Sequence, residues 1–250
     1  MLTVHSHCVA TFVAVSLTLC SVTALAQSAD GLKLIAAARK GDLSTASQLL
    51  QKGVSAGARS EEGETAIAAA AASGSTEIVR LLVTYGADVN RAGSTGYTPL
   101  ASAVARRDAG LTRLLLKAGA EPNERDPTGM FPLARAVAAG DAELAAQLLA
   151  AGADPNVRER DRGTPLAEAA RQGRIDLMSM LLDAGARVDA ADREGKAPLY
   201  WAIVRGRSEA ALRLIERGAD PRRRVAGEDM AHYARWAREE RVLQRIDAAH

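Results

Sequence analysis

Six glycines, Gly53, Gly86, Gly119, Gly152, Gly185 and Gly218, stand 33 residues apart along the chain. Two further ladders keep the same period. One runs through Thr65-Ala66-Ile67, Thr98-Pro99-Leu100, Phe131-Pro132-Leu133, Thr164-Pro165-Leu166 and Ala197-Pro198-Leu199. The other is an apolar pair, from Leu49-Leu50 through Leu115-Leu116 to Leu214-Ile215. Such a period marks a stack of similar units, each too small to bury its own apolar face without its neighbours.

The ladders give each unit two helices. Thr98 and Thr164 are placed to cap a first helix, with Pro99 and Pro165 at its first position, where a missing N–H costs nothing. Ala103, Ala136 and Ala169 keep that helix slim. Gly74, Gly140, Gly173 and Gly206 end it. A second helix carries apolar residues at helical spacing, for example Ile78, Leu81 and Leu82, or Leu111, Leu114 and Leu115. The Gly53 ladder follows it at the left-handed C-cap position. Polar stretches such as residues 90–96 then read as protruding turns. With aromatics at only 3% and alanine and leucine abundant, helix packing is favoured over a large sheet core.

The segments "TGYTPLASAVARRDAGLTRLLLKAGAEPN" and "RGTPLAEAARQGRIDLMSMLLDAGARVD" resemble the ankyrin repeat family in their G-x-T-P-L, L-L-x-x-G-A and D-V-N elements. The resemblance covers about residues 31–248 and implies an all-α solenoid of helix–turn–helix units with protruding turns or hairpins. It divides residues 27–250 into an N-terminal capping repeat (31–60), five full repeats (61–93, 94–126, 127–159, 160–192 and 193–225) and a C-terminal cap (228–250). The chain departs from the family where Ala101, Ala134, Ala167 and Tyr200 replace the usual His. It departs again where Arg162 and Arg107 occupy glycine positions, Gly163 standing ready to take over the first of these turns.

The resemblance also implies a binding scaffold that meets a protein partner through its concave face and turn tips. Carried over repeat by repeat, the partner-binding candidates are Glu61, Glu62, Glu64, Tyr97, Arg106, Met130, Arg160, Arg171, Arg193, Lys196 and Arg205. This surface runs from acidic through apolar to basic along the chain. The plain alternative is solvated charge without a role. Trp201 and Trp236 read as core or cap packing, and Tyr200 as a bridge between repeats.

The first 29 residues contain no Asp, Glu, Lys or Arg. Cys8 to Val22 forms an apolar run of secretory length, and Ala24-Leu25-Ala26 is a cleavage signal, so residues 1–26 read as a signal peptide cleaved near Ala26. An uncleaved anchor is the alternative, because Cys8–Ala26 is just long enough to span a bilayer. The expected destination is the periplasm of a bacterial cell, or secretion. Both cysteines fall inside this leader, and the mature chain keeps only His232 and His250. No disulfide, metal centre or cofactor is expected of such a chain.

A net charge of +2 gives no global basic excess of the kind nucleic-acid binders carry. A monomer without nucleic-acid partners or a transmembrane domain in the mature chain is expected. Two other readings remain. Arg222-Arg223-Arg224, with Arg217 nearby, offers an anionic-ligand or membrane-surface site. Gly53-Val54-Ser55-Ala56-Gly57 fits the G-x-S-x-G pattern of a serine hydrolase, but it leaves a helix where a nucleophile elbow must leave a strand. The expectation is therefore no enzyme.

Overall fold

The computed structural model describes residues 29–159 and 163–248. The expected leader and Arg160 lie outside these residues. Helices come in pairs: α1 (29–40) with α2 (Leu43–Gln51), α3 (Ala66–Ser73) with α4 (Thr76–Thr84), and α5 (Pro99–Ala105) with α6 (Ala109–Lys117). They continue as α7 (Pro132–Ala138) with α8 (Ala142–Ala150), α9 (Pro165–Gln172) with α10 (Ile175–Asp183), α11 (Pro198–Val204) with α12 (Ser208–Glu216), and α13 (Met230–Trp236) with α14 (Glu240–Asp247). Strand structure among the described residues is limited to isolated bridges such as Arg59 with Thr65. The fold is an all-α repeat solenoid. Its chain falls into two compact units, up to Pro99 and from Leu100 onward.

Within each unit the sequence ladders become layers. Leu82 in the first unit, and Leu115, Leu148, Leu181 and Leu214 in the second, are fully buried. Their ladder partners Val83, Leu116, Leu149, Leu182 and Ile215 are half-buried, so the first member of each pair forms the core and the second covers its edge. Ala70, Ala103, Ala136, Ala169 and Ala202 are buried on the first helices. With only a methyl group there, α9 packs directly between α7 and α11.

The caps follow their chemistry. Thr65 accepts from Ala68 N–H at 3.3 Å, and Thr164 from Ala167 N–H at 3.3 Å. Second helices are capped by acids that the sequence pattern left unremarked: Asp42, Asp108 and Asp141 accept from Thr45, Leu111 and Leu144 N–H. A carboxylate there also meets the positive end of the helix dipole. Arg107 holds the left-handed backbone, φ 58°, where the other repeats have glycine. At the other departure Gly163 adopts φ 76° and its carbonyl receives Glu159 N–H at 2.9 Å, so the turn shifts to that glycine.

Candidate binding surface

Each protruding turn is a finger closed at its base by one backbone bond. Ser60, Gly93, Asp126, Glu159 and Asp192 donate N–H to the carbonyl four residues on, at 2.9 to 3.1 Å. Where that first residue is Asp, its carboxylate also organises the finger from inside. Asp126 Oδ1 accepts from Thr128 N–H at 2.8 Å and Met130 N–H at 3.1 Å, and Oδ2 from Arg135 Nε at 3.0 Å. Burial pushes the Asp126 carboxyl up, but hydrogen bonds from Thr128, Arg135 and Met130 outweigh it and hold it below its usual value. Asp192 repeats the arrangement with Glu194 N–H at 2.9 Å and Lys196 N–H at 3.0 Å. Glu159, one methylene longer, reaches back to Phe131 N–H at 3.1 Å in the preceding finger.

Asparagines tie the repeats together on the other side of the fingers. Asn123 donates to Gly152 O at 3.0 Å and accepts from Asp154 N–H at 2.9 Å. Asn156 does the same one repeat on, with Gly185 O at 3.0 Å and Arg187 N–H at 2.8 Å. The next position is Asp189, which accepts from Asp220 N–H at 3.2 Å and has no donor to offer. Burial pushes its carboxyl above the usual range.

The candidate partner-binding residues divide by how free they are. In the first unit Glu61 and Glu62 are exposed, and Glu62 accepts from Ser60 Oγ at 2.9 Å. Glu64 is tied to the next finger through Ser94 N–H at 3.2 Å, and Tyr97 is half-buried. In the second unit Arg106, Arg193 and Arg205 are exposed and Met130 is half-buried. Arg171 is held by the nearly buried Glu168, Nε to Oε2 at 2.8 Å.

Lys196 belongs to the most distinctive cluster. Its ammonium pairs with Glu194 and lies 5.3 Å from the Trp201 ring centroid and 5.6 Å from that of Tyr200. Tyr200 meets Trp201 edge-on at 5.4 Å and Tyr233 of the next first helix at 4.9 Å. Tyr200 thus bridges repeats, as expected from its place in the ladder. Trp201 Nε1 donates to Asp192 Oδ2 at 3.3 Å, which fixes the indole against its own finger. Trp236 corrects its sequence reading as packing: it is 68% exposed, one turn past Tyr233 on α13. The short helix α13 turns Met230, Ala231 and Ala234 into the core, and Trp236 at its last position falls on the opposite, uncovered face. The clue was in the composition, since half of the chain's aromatic residues fall between positions 200 and 236.

The other chemical candidates have ordinary surroundings. Ser55 is exposed and its Oγ accepts from Gly57 N–H at 3.2 Å, a local turn with no imidazole or carboxylate bonded to it among the described residues. His232 is exposed beside Glu228 at 3.4 Å. The arginine run is split: Arg222 and Arg224 point to solvent, while Arg223 donates to Gly195 O at 3.3 Å and Asp189 O at 3.4 Å. Arg217 pairs with Asp183 at 2.5 Å. Among the described residues no group of acidic, His or Cys side chains is arranged to hold a metal, and no helix is long and apolar enough to cross a membrane.

A search of curated proteins gives no match. Among solved structures the chain is similar to the crystal structure of the human ASB11 ankyrin repeat domain, with 27% identity and a TM-score of 0.66, over 83% of this chain and 96% of that one. The family described as ankyrin repeats (3 copies) matches residues 34–126 and again 133–225. With most of its length matched and its helix pairs, fingers and inter-repeat ties laid out as above, this chain belongs to the ankyrin repeat family.

Proposed function

We propose that this chain is a non-enzymatic scaffold, exported to the periplasm, that binds a protein partner through its first helices and finger tips. The observation that carries the reading is the cluster of Tyr200, Trp201 and Tyr233 rimmed by Lys196, with Trp236 exposed beside it. A folded chain with so few aromatics has little reason to leave an indole in water. Aromatic side chains with a cationic rim concentrate binding energy at protein interfaces. The surface is preformed, so little ordering entropy is lost when the partner docks. The exposed charges of Arg193 and Arg205 in the same unit supply steering. Export rests on the uncharged, apolar start of the chain and its Ala-Leu-Ala signal.

Crosslinking in intact cells, followed by identification of the captured proteins, tests the reading. Trp236→Ala and Tyr97→Asp should each lose captured proteins that the unaltered chain retains. If both variants capture the same set as the unaltered chain, neither residue belongs to the interface. Sequencing the N-terminus of the exported chain should find Gln27, and an intact Met1 would refute cleavage. The purified protein should not label with a fluorophosphonate, and labelling abolished by Ser55→Ala would overturn the non-enzymatic reading.

A further inference from the structure

On the finger side of the second unit lie two adjoining grooves, about 550 and 700 Å³, that share Arg158, Asp192 and Arg193. Arg125 lines one, and Arg187 and Arg223 line the other. Among the described residues Arg125, Arg158, Arg187 and Arg193 form no ion pair, while Arg223 interacts with the Asp189 carboxylate in the same wall. Arg125 is anchored on carbonyls, Nη1 to Gly129 O at 2.6 Å and Nη2 to Arg158 O at 3.0 Å, with Phe131 stacked 4.0 Å away. Arg223 is anchored likewise on Gly195 and Asp189 carbonyls. The side chains of Arg158, Arg187 and Arg193 make no hydrogen bond among the described residues, and all three are exposed.

The acids in the same walls are already engaged. Glu159 accepts from Phe131 N–H, Asp192 from its finger and Trp201, Asp189 from Asp220 N–H, and Glu194 pairs with Lys196. Among the described residues the grooves therefore present three exposed cationic forks, Arg158, Arg187 and Arg193, that form no ion pair, beside carboxylates that already hold donors of their own.

The form of the site selects its ligand. A phosphate group is best held by converging backbone N–H groups, but in the two flanking fingers the amides of Thr128, Met130, Glu194 and Lys196 are taken by the Asp126 and Asp192 carboxylates. Nucleic acid needs a dense basic excess and free aromatic faces for its bases. In these walls the arginines are interleaved with acids, and the rings beside them are already engaged, Phe131 by Arg125 and Trp201 by Asp192 and Lys196. What remains is a set of separate planar forks, each matched to one carboxylate.

We propose that this groove binds an extended, carboxylate-rich segment of a protein partner, with acidic side chains taken one by one by Arg158, Arg193 and their neighbours. This names the chemistry of one partner region and rests on the protein-binding reading above. It uses none of the aromatic residues that carry that reading.

The test uses the full chain and a short fluorescent peptide with glutamates alternating with serines, followed by anisotropy. The glutamate peptide should bind, and its glutamine counterpart should bind at least about tenfold more weakly. Arg158→Ala with Arg193→Ala should weaken binding about tenfold or more without moving the unfolding midpoint. Arg222→Ala with Arg224→Ala removes the same charge outside the groove and should change affinity less than about twofold. Three outcomes overturn the proposal: equal binding of the glutamine peptide, equal loss in the Arg222/Arg224 variant, or tighter binding of a short oligothymidine. Failure here leaves the Trp236 capture result untouched, so the two readings fall separately.

Discussion

Arg107 allows the backbone logic of the repeat to be tested at one position. It occupies the turn between α5 and α6 with φ 58°, a conformation the other repeats assign to glycine. For a residue with a Cβ this region costs roughly 1–2 kcal/mol. Glycine avoids that cost but loses roughly 0.5–1 kcal/mol more chain entropy on folding. Arg107 also pairs with Asp141, Nε to Oδ2 at 3.2 Å, with side chains 59% and 17% exposed, an interaction of about 0.2–1 kcal/mol. The capping bond from Leu144 N–H uses the other oxygen, Oδ1, and survives any change at 107. Arg107→Ala and Arg107→Gly both lose the ion pair, so their difference isolates the backbone. The glycine variant should be the more stable by about 0.5–1 kcal/mol, a rise of roughly 1–4 °C in unfolding midpoint for a chain of this size. The unaltered protein should fall near the glycine variant and above the alanine one. Thermal and urea unfolding of the three proteins decide it. An alanine variant as stable as the glycine variant would refute the claim that this turn demands the left-handed conformation.

Asp189→Asn should restore the donor of the inter-repeat tie and remove a half-buried charge, stabilising the chain by about 1 kcal/mol at neutral pH. Because burial raises the folded-state pKa, the penalty exists above that value and disappears as pH falls below the unfolded one. The gain should therefore shrink on acidification, and a gain independent of pH would contradict the charge argument. Thr112 is fully buried in α6 and its hydroxyl has no partner among the described residues. Thr112→Val keeps its shape and should stabilise by about 1 kcal/mol in urea unfolding, whereas a loss would reveal an unrecognised hydrogen bond.

What the sequence determined by itself was everything tied to the period. Glycine, the Thr-Pro-Leu caps and the Leu pairs act within a few residues of the backbone, so their spacing alone specifies helix, turn, helix and the next unit. Even a departure was legible, as Gly163 shows by adopting the left-handed backbone at φ 76°. The asparagine ladder was visible as letters, but its role as a tie between repeats needed the distances from Asn123 to Gly152 and from Asn156 to Gly185. The surface was less legible still. Whether a side chain is free depends on what surrounds it: Glu64 is spent on Ser94 of the next repeat and Arg171 on Glu168 of its own helix, while Arg158 and Arg187, unmarked in the sequence, form no ion pair among the described residues. An indole in a helical pattern usually finds a cover, and only the tertiary structure shows Trp236 bare. Local backbone chemistry repeats every 33 residues and can be read from one strand of text. Charge pairing and exposure arise between repeats, and tertiary structure alone decided them.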